Sequence, residues 1–300
     1  MRVGKSQRIM RVLTGPWPAR ATWALLPLLM GPALGDALGD HSLAVARTGA
    51  VLAWGTWVGV LVAVLLPRTV SLTALRIAAP AALVAANWAA LADDPDLAGA
   101  VAVAGAAIAV VAAFSPMTGE VFVNGSAYGD EVRLPLRVPT ALVLGPIPLA
   151  WLATVAGPIA GPLLLAAEQW IVGGLVLVAG LPLAAAGVRA LHGLARRWVV
   201  LVPAGLVLHD PHSLVEAVLF PRSSIHRLGP AAAEAADSAL DLTQRALGLA
   251  LELDLAEPVL VAPRRPDKVV RVESVERLLF TPTRPGSLLS QAAARRIPVG

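Results

Sequence analysis

The sequence predicts an α-helical polytopic membrane bundle of about six transmembrane helices, followed by a small β-barrel or sandwich closed by a C-terminal helix. Three observations predict it. The 300 residues are 57% hydrophobic and only 15% charged, too apolar for a soluble chain of this length. Long uncharged runs of Ala, Leu, Val and Gly recur through the first two thirds, at lengths approaching the ~20 residues that carry a helix across ~30 Å of hydrocarbon. Between Leu181 and Leu206 the texture changes to short alternating segments with charges every few residues. That stretch is the joint between a membrane body and a folded domain.

Residues 1–20 carry Arg2, Lys5, Arg8, Arg11 and Arg20 with no acidic residue, as in a basic cytoplasmic tail. The alternative is a signal peptide, since Ala33-Leu34-Gly35 before Asp36 resembles a cleavage site. Apolar runs follow at Ala21 to Leu34, Gly49 to Leu66, Leu72 to Leu91, Leu97 to Phe114, Pro139 to Ala156 and Leu163 to Leu191. They make a six-helix transmembrane domain over 21–197, because unpaired backbone in hydrocarbon is costly and no strand alternation is visible. The last run exceeds one span, so its end near Arg189 and His192 is expected to project as a stalk.

Lys and Arg are retained preferentially on the cytoplasmic side. The tail, Arg68 with Arg76, Arg133 with Arg137, and Arg189 with Arg196 and Arg197 share one side, while the alternate connections hold only Arg47 among Asp36, Asp40, Asp93, Asp94, Asp96 and Glu168. Lys5 and Lys268 are the only lysines, and this bias to Arg with the excess of Ala, Val, Gly and Pro fits a GC-rich bacterial genome; both termini are thus expected in the cytoplasm of a bacterial cell, with the protein multi-pass in its inner membrane. Aromatic belts would place Trp17, Trp23 and Trp198 at the inner boundary and Trp54, Trp57, Trp88 and Trp170 at the outer one, with Trp151 inside the bundle. No charge falls near the middle of a run, where proton relays and ion paths need one. Asn87 is the polar exception, expected to hydrogen-bond between helices. The clusters Gly145-Pro146-Ile147-Pro148 and Gly157-Pro158, with Gly161-Pro162 following, would kink or interrupt the fifth helix and shape the turn after it. Gly55-x-x-x-Gly59 and Gly157-x-x-x-Gly161 have the spacing that lets helices approach closely, although 26 glycines make such spacings common.

The connection over 115–137 contains Glu120 to Tyr128 around Asn124-Gly125, the strongest local hairpin signal. A cytoplasmic hairpin carrying the only tyrosine, Tyr128, is expected to dock on the C-terminal domain.

That domain, 198–300, opens with two strands around Pro203-Ala204-Gly205. Further strands are expected at Glu216 to Phe220, Ile225 to Leu228, Pro258 to Ala262, Lys268 to Val272 and Arg277 to Thr281. Leu247 to Leu255 alternates so that Leu247, Leu249, Leu251, Leu253 and Leu255 share one face. Pro285 to Arg296 reads as a closing helix. The opening hairpin Trp198 to His209, the segment Val218 to Ile225 and the closing Leu279 to Leu289 resemble the bacterial pleckstrin-homology (PH) family, in which such a domain is attached to membrane helices. The resemblance covers about a third of the chain. It implies a small barrel plugged by its last helix. It does not imply phosphoinositide binding, which in the wider superfamily uses a basic first loop, whereas the loop here is Pro203-Ala204-Gly205.

The domain has 11 Lys and Arg against 11 Asp and Glu, which argues against nucleic acid, whose phosphates need clustered uncompensated cations. There is no cysteine, and no P-loop, GxGxxG or zinc-ligand spacing, so no cofactor or metal is expected. His209-Asp210-Pro211-His212 reads as a solvated turn more readily than as a metal site. Ser213, Ser223, Ser224 and His226 lack a nucleophile elbow. The expected function is non-catalytic. An integral membrane protein would present a cytoplasmic PH-like domain to a membrane or cytoplasmic protein partner, in assembly or regulation. The alternative is a transporter or channel subunit with a regulatory domain. Arg196, Arg197 and Trp198 at the joint, Asn87 and Tyr128 are the candidate topology and interface residues, and the lipid bilayer is the first partner.

Overall fold

The computed structural model describes residues 16–92, 94–232, 238–265 and 269–300. The basic tail up to residue 15, Asp93 and Lys268 lie outside them. The chain divides into a membrane unit, residues 1–125 and 149–192, and a domain unit, residues 126–148 and 193–300.

The membrane unit begins with α1 (Trp17–Gly39), α2 (Leu43–Leu65), α3 (Thr69–Ala92), α4 (Leu97–Phe114) and the short α5 (Pro116–Asn124). After α6 (Thr140–Val143) come α7 (Pro146–Ala166) and α8 (Trp170–Leu194). Six helices are long and apolar enough to cross a membrane, with Thr140–Ala166 counted as the fifth, and the chain is a multi-pass membrane protein.

Side chains near the helix ends tie neighbours together. Arg20 on α1 donates to the carbonyls of Val64 (2.9 Å) and Leu65 (3.0 Å) at the C-terminus of α2. Arg76 on α3 does the same for Ala113 of α4 (3.2 Å). Cations there satisfy orphan carbonyls and oppose the negative end of the helix dipole. Trp23 and Trp57 exchange indole N–H bonds to each other's carbonyls, both at 3.0 Å. This exchange corrects the aromatic belts. Trp57 lies about 14 residues, or ~21 Å, along α2 from its Leu43 end, so it shares the level of Trp23 instead of lying at the opposite boundary. Trp151 donates to Ile77 of α3 (2.9 Å), inside the bundle as expected.

Pro158 and Pro162 lie within α7, since a spanning helix re-satisfies the freed backbone groups through its neighbours. The turn moves to residues 167–169, where Glu168 takes φ 61°. His192, near the end of α8, packs against α3. Its Nδ1 is 2.9 Å from Oγ1 of the buried Thr73. Gly157 and Gly161 do seat a helix contact, because a Cβ on Gly157 would strike the Gly180 backbone and one on Gly161 would lie 2.9 Å from Leu177 Cβ. Gly55 and Gly59 meet nothing within 4 Å.

The expected hairpin at 115–137 is instead α5. Ser115 caps it, its Oγ accepting from the Thr118 N–H (3.1 Å), and Pro116 stands in its first turn. Both features start helices, and Asn124-Gly125 ends one here. The later part of the connection, β1 (Val132–Pro135), does enter the domain. It pairs antiparallel with β2 (Trp198–Val202), Val132 opposite Leu201 and Pro135 opposite Trp198.

Beyond β2 the domain has β3 (Gly205–His209), β4 (Val218–Pro221), β5 (Ile225–Pro230), the two-residue β6 (Leu240–Asp241), β7 (Leu251–Val261), β8 (Glu273–Phe280) and α9 (Pro285–Ala294). One sheet has the order β1-β2-β3-β4 and the other β5-β7-β8-β6. The β2–β3 turn requires Gly205, whose φ of 156° is in glycine territory and whose Cβ would collide with the Phe220 carbonyl. Leu134, Leu201, Leu206, Phe220, Leu253, Phe280 and Leu288 belong to one core, so both sheets, the loop-derived strand and α9 bury the same apolar surface. The Leu repeat is confirmed only in part. Leu251, Leu253 and Leu255 are buried, while Leu247 and Leu249 precede the strand and are exposed. The segments read as separate strands at 247–255 and 258–262 form one long β7, and 269–272 is not a strand.

Candidate functional site

The strands β2 and β3 pair Trp198 with His209 and Val202 with Gly205. Continued by one residue, this register sets Arg197 opposite Asp210. Both side chains are buried, at 2% and 1% exposure. Arg197 Nε donates to Asp210 Oδ1 and Nη2 to Oδ2, each at 2.7 Å, a bidentate pair. Arg197 Nη1 reaches the Arg137 carbonyl (3.0 Å).

The Asp210 carboxylate accepts two further bonds, from Ser213 Oγ (2.7 Å) and the His212 N–H (3.1 Å). Asp-Pro-His-Ser closes a tight turn because the aspartate side chain mimics a backbone acceptor two residues on. The Asp210 carbonyl also accepts from the N–H groups of Ser213 (3.1 Å) and Leu214 (2.8 Å). Gln244 Nε2 donates to Ser213 Oγ (2.8 Å). Asp210, in the turn expected to be solvated, is thus buried with Arg197 and Ser213 in the polar centre of the domain, since a charge can leave water only when its partner and the remaining lone pairs are supplied.

The electrostatics follow. Burial alone would raise the Asp210 pKa, but the hydrogen bonds and charge of Arg197, with those from Ser213 and the His212 N–H, hold it below the ordinary 3.8. His212 is lowered from 6.5, first by burial and then by the positive charges of Arg197 and Arg264, which outweigh Asp210. Its Nδ1 is buried with no hydrogen-bond partner among the described residues. As pH falls through 6.5 the unfolded chain binds a proton at this position before the folded chain does, so stability is lost from there downward. Asp210 contributes stability above 3.8 that is lost as pH falls through its lower folded value. Urea midpoints of the full chain measured between about pH 7.5 and about pH 3 are expected to fall in these two windows. His212→Gln is expected to abolish the upper one alone.

Among the sequence candidates, the structure separates the two arginines. Arg196 is exposed and Arg197 is buried, so Arg197 is not a boundary charge but the cation of the core network. Trp198 is half-buried. The His209 ring stacks on it at 4.9 Å, and the Arg133 guanidinium lies 5.5 Å above it. His209 Nδ1 contacts the Arg196 carbonyl (2.8 Å), which turns this imidazole away from Asp210. Tyr128 is 90% exposed. Asn87 makes no side-chain bond between helices among the described residues. Its Nδ2 donates to Leu83 of its own helix (2.7 Å), a shorter reach for an amide side chain than a neighbouring backbone. His226 lies 3.1 Å from Asp254, and the Ser213 hydroxyl is given to Asp210, so no serine is brought to an imidazole among these contacts.

A recess of about 210 Å³ opens beside the network, lined in part by Ser213, Asp241, Gln244, Arg264 and Arg265. Sequence reading missed Asp210 as a partner of Arg197. The signal was present in the equal distance of the two residues from the two-residue Pro203-Ala204 turn that Val202 and Gly205 close. Compared with known proteins, the chain matches no family model, no curated protein and no solved structure.

Proposed function

We propose that this membrane protein presents its 126–148 and 193–300 unit, read as a PH-like domain, on the cytoplasmic face of a bacterial inner membrane as a docking module for a protein partner, in assembly or regulation without catalysis. The order of two small sheets followed by a closing helix supports the PH-like reading. The observation that carries docking is the state of the sheet edges. The β1 edge is covered at its Pro135 end by residues 281–283, through Arg137 N–H to the Thr281 carbonyl and Thr283 N–H to the Pro135 carbonyl, both 2.8 Å. The β5 edge is covered by the chain end, through Leu228 N–H to the Pro298 carbonyl (2.9 Å). Among the described residues, the edges that remain are the two-residue β6 and the outer side of β4, where Leu219 is exposed. An uncovered edge accepts an extended peptide by strand addition, with backbone bonds for affinity and side-chain pockets for specificity. The self-contained bonding of the Arg197 network supports a structural rather than catalytic centre. The transporter alternative has less support, since the Asn87 amide bonds its own helix and α7 meets α8 through glycine backbone.

A photo-crosslinking side chain in place of Leu219, in the full chain in its native membrane, is expected to capture one discrete protein. Placed at Leu247, exposed but outside the sheet, it is expected to capture none. Absence of an adduct at 219, or the same adducts at both positions, would refute docking at β4.

A further inference from the structure

The arm formed by β7 and β8 carries a second surface of different chemistry. Strand alternation sends Val261 into the core and leaves Leu260 69% exposed. Val269, Val270 and Val272, which precede β8, are exposed as well. Arg264, Arg265 and Arg271 stand among them, all exposed, with Arg265 ion-paired to Glu273. The base of the arm is pinned to the buried turn, since the Arg264 N–H donates to the Ser213 carbonyl (2.7 Å) and the Val215 N–H to the Ala262 carbonyl (3.0 Å). This fixes where the arginines emerge, beside the recess that Arg264 and Arg265 border and whose one carboxylate is Asp241.

Large apolar side chains interleaved with cations suit a surface that is negative outside and apolar a few ångströms below. Guanidinium groups stay with phosphates while valine and leucine enter the acyl boundary. Residues 198–300 are neutral taken together, with 11 cations against 11 anions, so within them the attraction is local to this arm. The bilayer is also the one partner that the chain itself brings, because α8 ends at Leu194 and β2 begins at Trp198, and a tethered surface is met at high effective concentration. We propose that the β7–β8 arm binds an anionic lipid surface, with Leu260, Val269, Val270 and Val272 entering the interface and Arg264 and Arg271 meeting lipid phosphates.

The chain has no cysteine, so Val270→Cys can carry a single environment-sensitive fluorophore in the full protein. It would be reconstituted in nanodiscs of phosphatidylcholine alone or with phosphatidylglycerol, with and without a lipid-borne quencher, and Leu219→Cys would be the reference. The expected result is blue-shifted, quenchable emission at 270 in the anionic discs only, with position 219 unchanged. Adding Arg264→Gln and Arg271→Gln is expected to lower the docking constant roughly tenfold or more. A probe at 270 that is unshifted in both discs would overturn the proposal. So would equal quenching in both lipids, or a blue shift that the lipid-borne quencher does not touch, which would mean that protein covers the arm.

Discussion

Asp210→Ala is expected to cost the domain about 3–5 kcal/mol, because it leaves the Arg197 guanidinium buried without its carboxylate. The penalty exceeds the net worth of the pair, since desolvation of Arg197 remains while both 2.7 Å bonds disappear. Hydrogen exchange of the full chain in detergent measures it, with amides of 198–209 expected to lose protection by about 10²-fold or more. The double replacement Arg197→Met with Asp210→Leu separates charge from packing. Removing both ions restores most of the loss if burial of an unpaired charge is the cause. Protection of Asp210→Ala within a few-fold of the parent chain would contradict the buried pair.

The second large effect is expected in the membrane unit. Gly180→Leu places a side chain where the backbone of Gly157 already lies. Backbone cannot yield as a flexible side chain does, so the cost lies at or above the roughly 1–3 kcal/mol typical of an overpacked core. Gly174→Leu lies on the same helix but meets nothing within 4 Å, so it changes helix propensity and hydrophobicity equally without the collision. Thermal inactivation in detergent, followed by size-exclusion recovery, is expected to fall sharply for Gly180→Leu and to remain near the parent for Gly174→Leu. Equal recovery of the two would show that α7 and α8 do not approach through glycine.

Much of the architecture was legible. The six spanning helices follow from run length, the opening hairpin from Pro-Ala-Gly, and the closing helix from its Pro-Gly-Ser start. The candidate site was less so. Arg196 and Arg197 look alike as neighbours at the end of an apolar run, and only the fold leaves Arg196 exposed in the turn after α8 and sets Arg197, one residue before β2, opposite Asp210 in the core. Asn124-Gly125 carried a hairpin signal, but Ser115-Pro116 upstream started a helix first, and the dipeptide then served as its end. Leu247 and Leu249 kept the strand period without joining the strand, since alternation records which face a residue would occupy and not whether a partner strand reaches it.

What the sequence by itself determined is the division into membrane body and water-exposed domain, because transfer of apolar runs into lipid depends on length and composition within each segment. What only the tertiary structure decided is every relation between segments distant in the chain. Val132–Pro135, lying between membrane helices, supplies the first strand of the domain, Gly157 faces Gly180, and Asp210 neutralises Arg197. Each depends on which surfaces are brought together to bury apolar area and pair every polar group, and that is a property of the folded chain rather than of any one stretch.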